Sequence, residues 1–208
     1  MATSKTEIQN SALVKIAEAT IASDTQVGKA AATLKRQYPL QRRALIRRYR
    51  WNFAIVRVSL APEGTKPAFG FENKFLLPPL CVRVLGLYDP VEPLRNYTSS
   101  KDPFKVEGRF IHAEGTEIKI FYLSDITNTS LFDPMFDEAL AWLLAADVAF
   151  DISAGIDVVK MAREGYALAI KDAKRADAIE GTPEVIQVSE WVDSRQQLRG
   201  PFRAGPIL

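Results

Sequence analysis

The chain has 208 residues, a balance of 47% hydrophobic and 25% charged residues, and a formal net charge of only +2. This composition excludes a chain that is disordered throughout, and the length fits one domain with or without an appended arm. A single Cys and a single His exclude an internal disulfide and a metal site built from histidines, and they indicate synthesis in a reducing compartment.

The N-terminal quarter of the chain predicts three helices. Thr6 begins a capping box and predicts a helix to about residue 22, and Ser23 begins a second one to about residue 37. Pro39 suits the first turn of a third helix, because its missing N–H has no intrahelical partner there. We expect that helix to end near Phe53, so helices cover about residues 6–53.

The same region carries a basic block that contains no acid. Nine basic residues lie between Asp24 and Glu63, namely Lys29, Lys35, Arg36, Arg42, Arg43, Arg47, Arg48, Arg50 and Arg57. On the third predicted helix, a step of about 100° per residue separates an arginine half from an apolar half. The arginine half holds Arg42, Arg43, Arg47 and Arg50. The apolar half holds Leu40, Ala44, Leu45, Tyr49 and Trp51.

The arginines are therefore predicted to face away from the core, towards phosphates, an acidic protein surface or solvent. Aromatic side chains beside basic ones are typical of nucleic-acid binding. Here Tyr49 and Trp51 lie on the apolar half of the helix, away from most of the arginines. We therefore favour a protein partner or solvent for this surface.

From Ala61 to Thr127 the sequence predicts a β-rich insertion, because prolines and glycines separate short runs of β-branched and aromatic residues. The predicted strands are Lys74–Leu77, Cys81–Leu87, Phe104–His112 and Glu117–Leu123. The last two flank residues 113–116 and predict an antiparallel hairpin, with a bulge near Gly108. Residues 88–101 predict an exposed loop.

Two more helices follow. Asp133 and Pro134 are typical of an N-cap and a first helical residue, and the helix they begin is apolar nearly all round to Phe150, which predicts a central position. A last helix is predicted over about 156–179. Helical periodicity then ends, and residues 181–208 predict an extended arm. The fold class we expect is α+β and mainly helical: a helical bundle core formed by one domain of residues 1–180, with an inserted small antiparallel β region and the arm.

Candidate catalytic residues are few, and we expect no enzyme, no cofactor and no metal site. His112 lies in a strand pattern and Cys81 between apolar residues, so both are predicted to be structural. Asp147 interrupts the apolar stripe of its helix, where a buried carboxylate must be paired or neutral. Either it forms a buried ion pair with Arg163, or it lies at a helix edge or subunit contact. The first residues lack a secretory signal, and the longest apolar stretch, 139–150, is too short to cross a bilayer, so we expect no membrane anchor.

The order of several short motifs over residues 8–195 resembles the tail tubular protein A family, the head-to-tail adaptors of short-tailed bacteriophages. The motifs begin with a helix around Ala12-Leu13-Val14-Lys15-Ile16 and an Arg-rich helix before Trp51-Asn52-Phe53-Ala54. They continue with Leu76-Leu77-Pro78-Pro79-Leu80-Cys81-Val82-Arg83-Val84, Val106-Glu107-Gly108-Arg109-Phe110, Ile118-Lys119-Ile120-Phe121-Tyr122, Phe132-Asp133-Pro134-Met135-Phe136, and Ser189-Glu190-Trp191 with Arg195. The chain departs from the family at Pro79-Leu80-Cys81, where relatives more often carry an acidic residue before the cysteine or its equivalent.

The resemblance implies a structural virion protein of the tail or neck, assembled in the host cytoplasm. It implies a ring of about twelve copies that joins the portal to the tail nozzle and leaves a channel for double-stranded DNA, without sequence-specific binding and without catalysis. It leaves open whether tail fibres are a further partner. The candidate partner-binding residues are Arg42, Arg43, Arg47, Arg50, Trp191, Arg195 and Phe202. We expect the arm to clasp a neighbouring subunit or the portal. The alternative function is a DNA-binding module that uses the basic helix over 35–50.

Overall fold

A computed structural model describes residues 4–23, 25–88, 103–152 and 155–180. It is an α+β fold, about half helical, with four α-helices and two small three-stranded antiparallel sheets, which confirms the expected fold class. The helices are α1 (Lys5–Lys15), α2 (Lys29–Arg48), α3 (Pro134–Asp151) and α4 (Ile156–Ile179). The strands are β1 (Ile55–Leu60), β2 (Asn73–Leu76), β3 (Cys81–Leu87), β4 (Lys105–Glu107), β5 (Phe110–Ala113) and β6 (Ile118–Ser124). None of the helices in these ranges is both long and apolar enough to cross a membrane.

The first helix begins and ends earlier than predicted. Ser4 is its N-cap and accepts a hydrogen bond from the Glu7 N–H at 3.2 Å, while the Glu7 carboxylate accepts one from the Ser4 N–H. The capping box thus begins two residues before Thr6, and Ala17, with a φ of 58°, lies just beyond the end of α1. The box predicted at Ser23 begins no helix.

The second and third predicted helices are one helix, α2, which continues through Pro39. A proline inside a helix removes one backbone hydrogen bond and crowds the preceding turn. Pro39 lies on the exposed side of α2, where water can satisfy the carbonyl that loses its donor. The helix then ends at Arg48, so Trp51 follows it in an irregular segment and the first strand begins already at Ile55.

The two sheets have the strand orders β1-β6-β3 and β2-β5-β4. The predicted hairpin is therefore wrong, because β5 and β6 belong to different sheets and Gly115, with a φ of 95°, lies where the chain passes from one to the other. The predicted strand Phe104–His112 is instead two strands that form a hairpin of their own around Gly108. Gly108 has a φ of 60°, a conformation that glycine adopts without a Cβ clash.

The main core surrounds α3, which packs against the other three helices. Its first turn is capped by Asp133, whose carboxylate accepts hydrogen bonds from the N–H groups of Met135 at 2.7 Å and Phe136 at 3.3 Å. The central position and the bounds predicted for this helix are confirmed, although Phe150 at its end is exposed. A second, smaller core lies at the sheets and is formed by Phe75, Leu77, Ile111, Ala113, Ile118, Ile120 and Tyr122.

Candidate partner-binding surface

The arginines of α2 do not form one outward row. Arg42 is only 8% exposed, and its guanidinium lies 2.7 Å from the Asp125 carboxylate, so its predicted outward position is wrong. Five of the seven buried positions of α2 form one helical stripe that includes the arginine, namely Ala31, Leu34, Tyr38, Arg42 and Leu45. Leu40, predicted on the apolar half, is 60% exposed.

Other arginines of the basic block are used to connect α2 to its neighbours. Arg47 donates a hydrogen bond to the Val82 carbonyl at the start of β3, and Arg48 donates to the Tyr166 hydroxyl of α4 at 3.1 Å. Arg43 is exposed, and its Nε lies 4.0 Å from the second Asp125 oxygen. Arg50 follows the helix and is half-buried. The arginines of α2 thus connect this helix to β3 and α4, and they also present charge to solvent.

A groove lies between α2 and the start of β3. It has a volume of about 280 Å³ and is lined by Leu40, Arg43, Ala44, Arg47, Cys81 and Val82. Its floor is apolar, and the two arginine side chains supply positive charge. Burial raises the pKa of the Cys81 thiol above its ordinary value, which disfavours the thiolate and agrees with a structural cysteine.

Asp147 is half-buried on α3, and its partner is a glutamine. The Gln41 side-chain amide donates a hydrogen bond to Oδ2 of Asp147 at 2.6 Å. Burial raises the pKa of the Asp147 carboxyl, and the hydrogen bond and the more distant charge of Arg163 oppose that rise. Of the two alternatives predicted for Asp147, the direct ion pair with Arg163 is not formed, since Gln41 contacts the carboxylate and Arg163 is exposed on α4.

The outer face of α4 carries a feature that we did not predict. Met161, Leu168 and Ile179 are 45%, 66% and 73% exposed, and their spacing of 7 and 11 residues places them on one side of the helix. The helix predicted over 156–179 contains this signal in its sequence, because spacings of 7 and 11 residues return to the same side of a helix.

The remaining candidate residues are His112 and three residues that follow α4 in the sequence. His112 on β5 is largely buried, with Nε2 3.7 Å from a Glu107 carboxylate oxygen. Across the described ranges, no group of three or more His, Cys, Asp or Glu side chains is placed to hold a metal ion. Trp191, Arg195 and Phe202 lie outside the described residues.

No protein-family model and no curated protein matches the chain.

Proposed function

We propose that this chain is a structural virion protein, a ring adaptor of about twelve copies that joins the portal to the tail nozzle and leaves a channel for DNA. The resemblance to the tail tubular protein A family suggests this role. The observation that carries it is the exposed apolar stripe on α4, formed by Met161, Leu168 and Ile179. The portal and the nozzle are its partners in the virion neck, and tail fibres remain open as a further one.

The α4 stripe has the properties of a protein-binding face. Its three side chains fall within about 20° on a helical projection and extend along about 27 Å of the helix. Two exposed charged side chains lie between Leu168 and Ile179 along the helix, with Asp172 about 20° and Arg175 about 40° from Ile179 on the projection. An apolar surface with a polar border marks a protein contact more often than a nucleic-acid contact. A subunit of a ring needs such a face, since every copy contacts two neighbours.

The DNA-binding alternative has less support. It requires a row of free cations along residues 35–50, but Arg42 is buried in an ion pair with Asp125. Arg47 and Arg48 donate hydrogen bonds within the fold. The helix can still present Lys35, Arg36 and Arg43 to a phosphate, but the buried Arg42 interrupts their row.

Sedimentation velocity of the chain, alone and mixed with the portal protein of the same virion, tests the proposal. We expect the isolated chain to be monomeric or loosely associated and to close into a ring on the portal, which negative-stain imaging would show. Leu168→Glu should prevent ring formation and leave the circular-dichroism melting curve unchanged, because Leu168 is exposed. Lys171→Glu, which is exposed and about 60° around the same helix from Leu168, is the matched control and should assemble normally.

Two results would count against the ring. One is an unassembled chain in the presence of portal at every protein concentration. The other is a chain that retards DNA with an affinity that falls steeply as salt rises, and that ignores the portal. The second result would favour the DNA-binding module.

A further inference from the structure

The groove between α2 and β3 is positively charged at its border. Arg83 on β3 donates a hydrogen bond to the Arg47 carbonyl at 3.4 Å, and Arg42 and Arg43 meet at the Asp125 carboxylate. Arg43, Arg47 and Arg83 are exposed at this end of α2, whereas Arg42 is buried and its charge is neutralised by Asp125. Leu40 and Leu80, which are 60% and 55% exposed, supply apolar surface beside this charge. Such a groove suits an extended segment that carries both acidic and apolar side chains.

The sequence that follows α4 contains a segment with both acidic and apolar side chains. Residues 184–193 read Glu-Val-Ile-Gln-Val-Ser-Glu-Trp-Val-Asp, with three acids, no base and five apolar residues. The rest of the chain after them is basic, with Arg195, Arg199 and Arg203. The acidic charge is thus concentrated in one short segment, so that segment is the part of the arm that complements the arginines.

The chain leaves α4 beside Asn52, just beyond the C-terminal end of α2. Asp177, two residues before the end of α4, accepts a hydrogen bond from the Asn52 N–H at 2.8 Å, and its carbonyl accepts a second one from the Asn52 side chain at 2.7 Å. Asn52 lies just beyond the C-terminal end of α2, and residues 40–47 of α2 form one wall of the groove over about 10 Å. Residues 181–193 can span up to about 43 Å, so the groove of the same chain is within reach.

We propose that the segment Glu184–Asp193 docks in the α2–β3 groove of its own chain. Its carboxylates meet Arg43 and Arg47, and its apolar side chains cover Leu40 and Cys81. A tethered segment has an effective concentration in the millimolar range, so docking in the same chain is favoured over docking on another copy. The contact is independent of the ring proposal, and it is an alternative to the intermolecular clasp expected for this part of the arm.

Cys81 provides a direct test, because it is the only cysteine and lines the groove. Its alkylation rate by iodoacetamide would be measured in the full chain and in Glu190→Arg with Asp193→Arg. We expect about fivefold faster alkylation in the variant, because two attractive charge pairs become repulsive. Glu164→Arg with Asp172→Arg makes the same chemical change on the exposed face of α4 and should leave the rate unchanged.

A charge swap separates docking from an effect on the thiol itself. Arg43→Glu with Arg47→Glu changes the charge around Cys81, so this variant alone is the reference for the swap. Adding Glu190→Arg and Asp193→Arg to this variant should slow the alkylation of Cys81 relative to that reference.

Three results would overturn the proposal. The first is an equal rate of Cys81 alkylation in the natural chain and in the Glu190→Arg, Asp193→Arg variant. Protection that increases over about a hundredfold range of protein concentration would also overturn it, by placing the segment on a second copy. Protection that appears only when portal is added would assign the groove to that partner instead.

Discussion

The buried ion pair between Arg42 and Asp125 is the sharpest point at which the fold can be tested. The pair joins α2 to the segment after β6, and the Arg42 Nη2 lies 2.7 Å from the Asp125 Oδ1. The side chains are 9% and 17% exposed. Arg42→Ala removes the cation and leaves a largely desolvated carboxylate, which Arg43 reaches only at 4.0 Å.

The magnitude follows from this geometry. Breaking a buried ion pair by removing one partner costs about 3–5 kcal/mol of the free energy of unfolding. Because Asp125 keeps some contact with water, we expect the lower end, about 3 kcal/mol. Arg43→Ala is the matched control, since Arg43 is exposed and approaches the same carboxylate. Removing an exposed partner should cost about 1 kcal/mol or less.

Guanidinium unfolding followed by circular dichroism would measure both variants. Arg42→Met with Asp125→Leu should recover to within about 1 kcal/mol of the natural chain, because a buried pair can be exchanged for apolar packing at little net cost. If Arg42→Ala and Arg43→Ala lose the same free energy of unfolding within about 0.5 kcal/mol, Arg42 is not a buried partner. The reasoning about α2 would then be wrong.

Three further changes probe the core and the pH dependence. Trp51→Ala should cost about 4 kcal/mol of unfolding free energy in guanidinium titrations, because a fully buried indole is lost, and a loss under 1 kcal/mol would contradict its position. Gly165→Ala should cost about 1–3 kcal/mol in the same assay, since its Cβ would lie 2.5 Å from the Trp142 ring, whereas Gly64→Ala meets nothing within 4 Å and should be nearly neutral. Asp147 has a raised pKa in the folded chain, so its contribution to stability is present below its ordinary pKa of 3.8 and is lost as pH rises through the folded value. Asp147→Asn should therefore melt higher than the natural chain at pH 7, and the gain should shrink towards pH 3.8; a gain that grows on acidification would refute this sign.

The elements with strong local signals could be predicted from the sequence. Asp133 followed by a proline marks the beginning of α3, and sustained helical periodicity marks both α3 and α4, so their bounds agree with the structure to within a residue or so. The strand Cys81–Leu87 also agrees, because prolines precede it and β-branched residues fill it. In each case the information lies within a few residues of the element.

The errors concern partners that are distant in the sequence. The run before Gly115 and the run after it look like a hairpin, but β6 pairs with β1 and β3, more than thirty positions away, and that choice depends on packing across the two sheets. The helical projection of the third predicted helix, which begins only near Pro39, places Arg42 on the arginine half. Its position in the buried stripe was visible from residue 31 onward, but the carboxylate that neutralises it lies 83 residues later. Local periodicity contains no information on such a pair.

The basic block of an almost neutral chain raised the question of what its charges meet, and the fold answers much of it internally. Lys29 donates to the Asp151 carbonyl, Arg42 pairs with Asp125, and Arg47 donates to a carbonyl of β3. These contacts connect one helix to α3 and to the sheet, so the block contributes to the arrangement of the domain itself. A run of arginines is therefore weak evidence for nucleic acid until their partners are known. Of the basic residues that remain exposed, Arg43 lies beside an apolar groove, and charge combined with apolar contact favours a protein segment over a phosphate backbone.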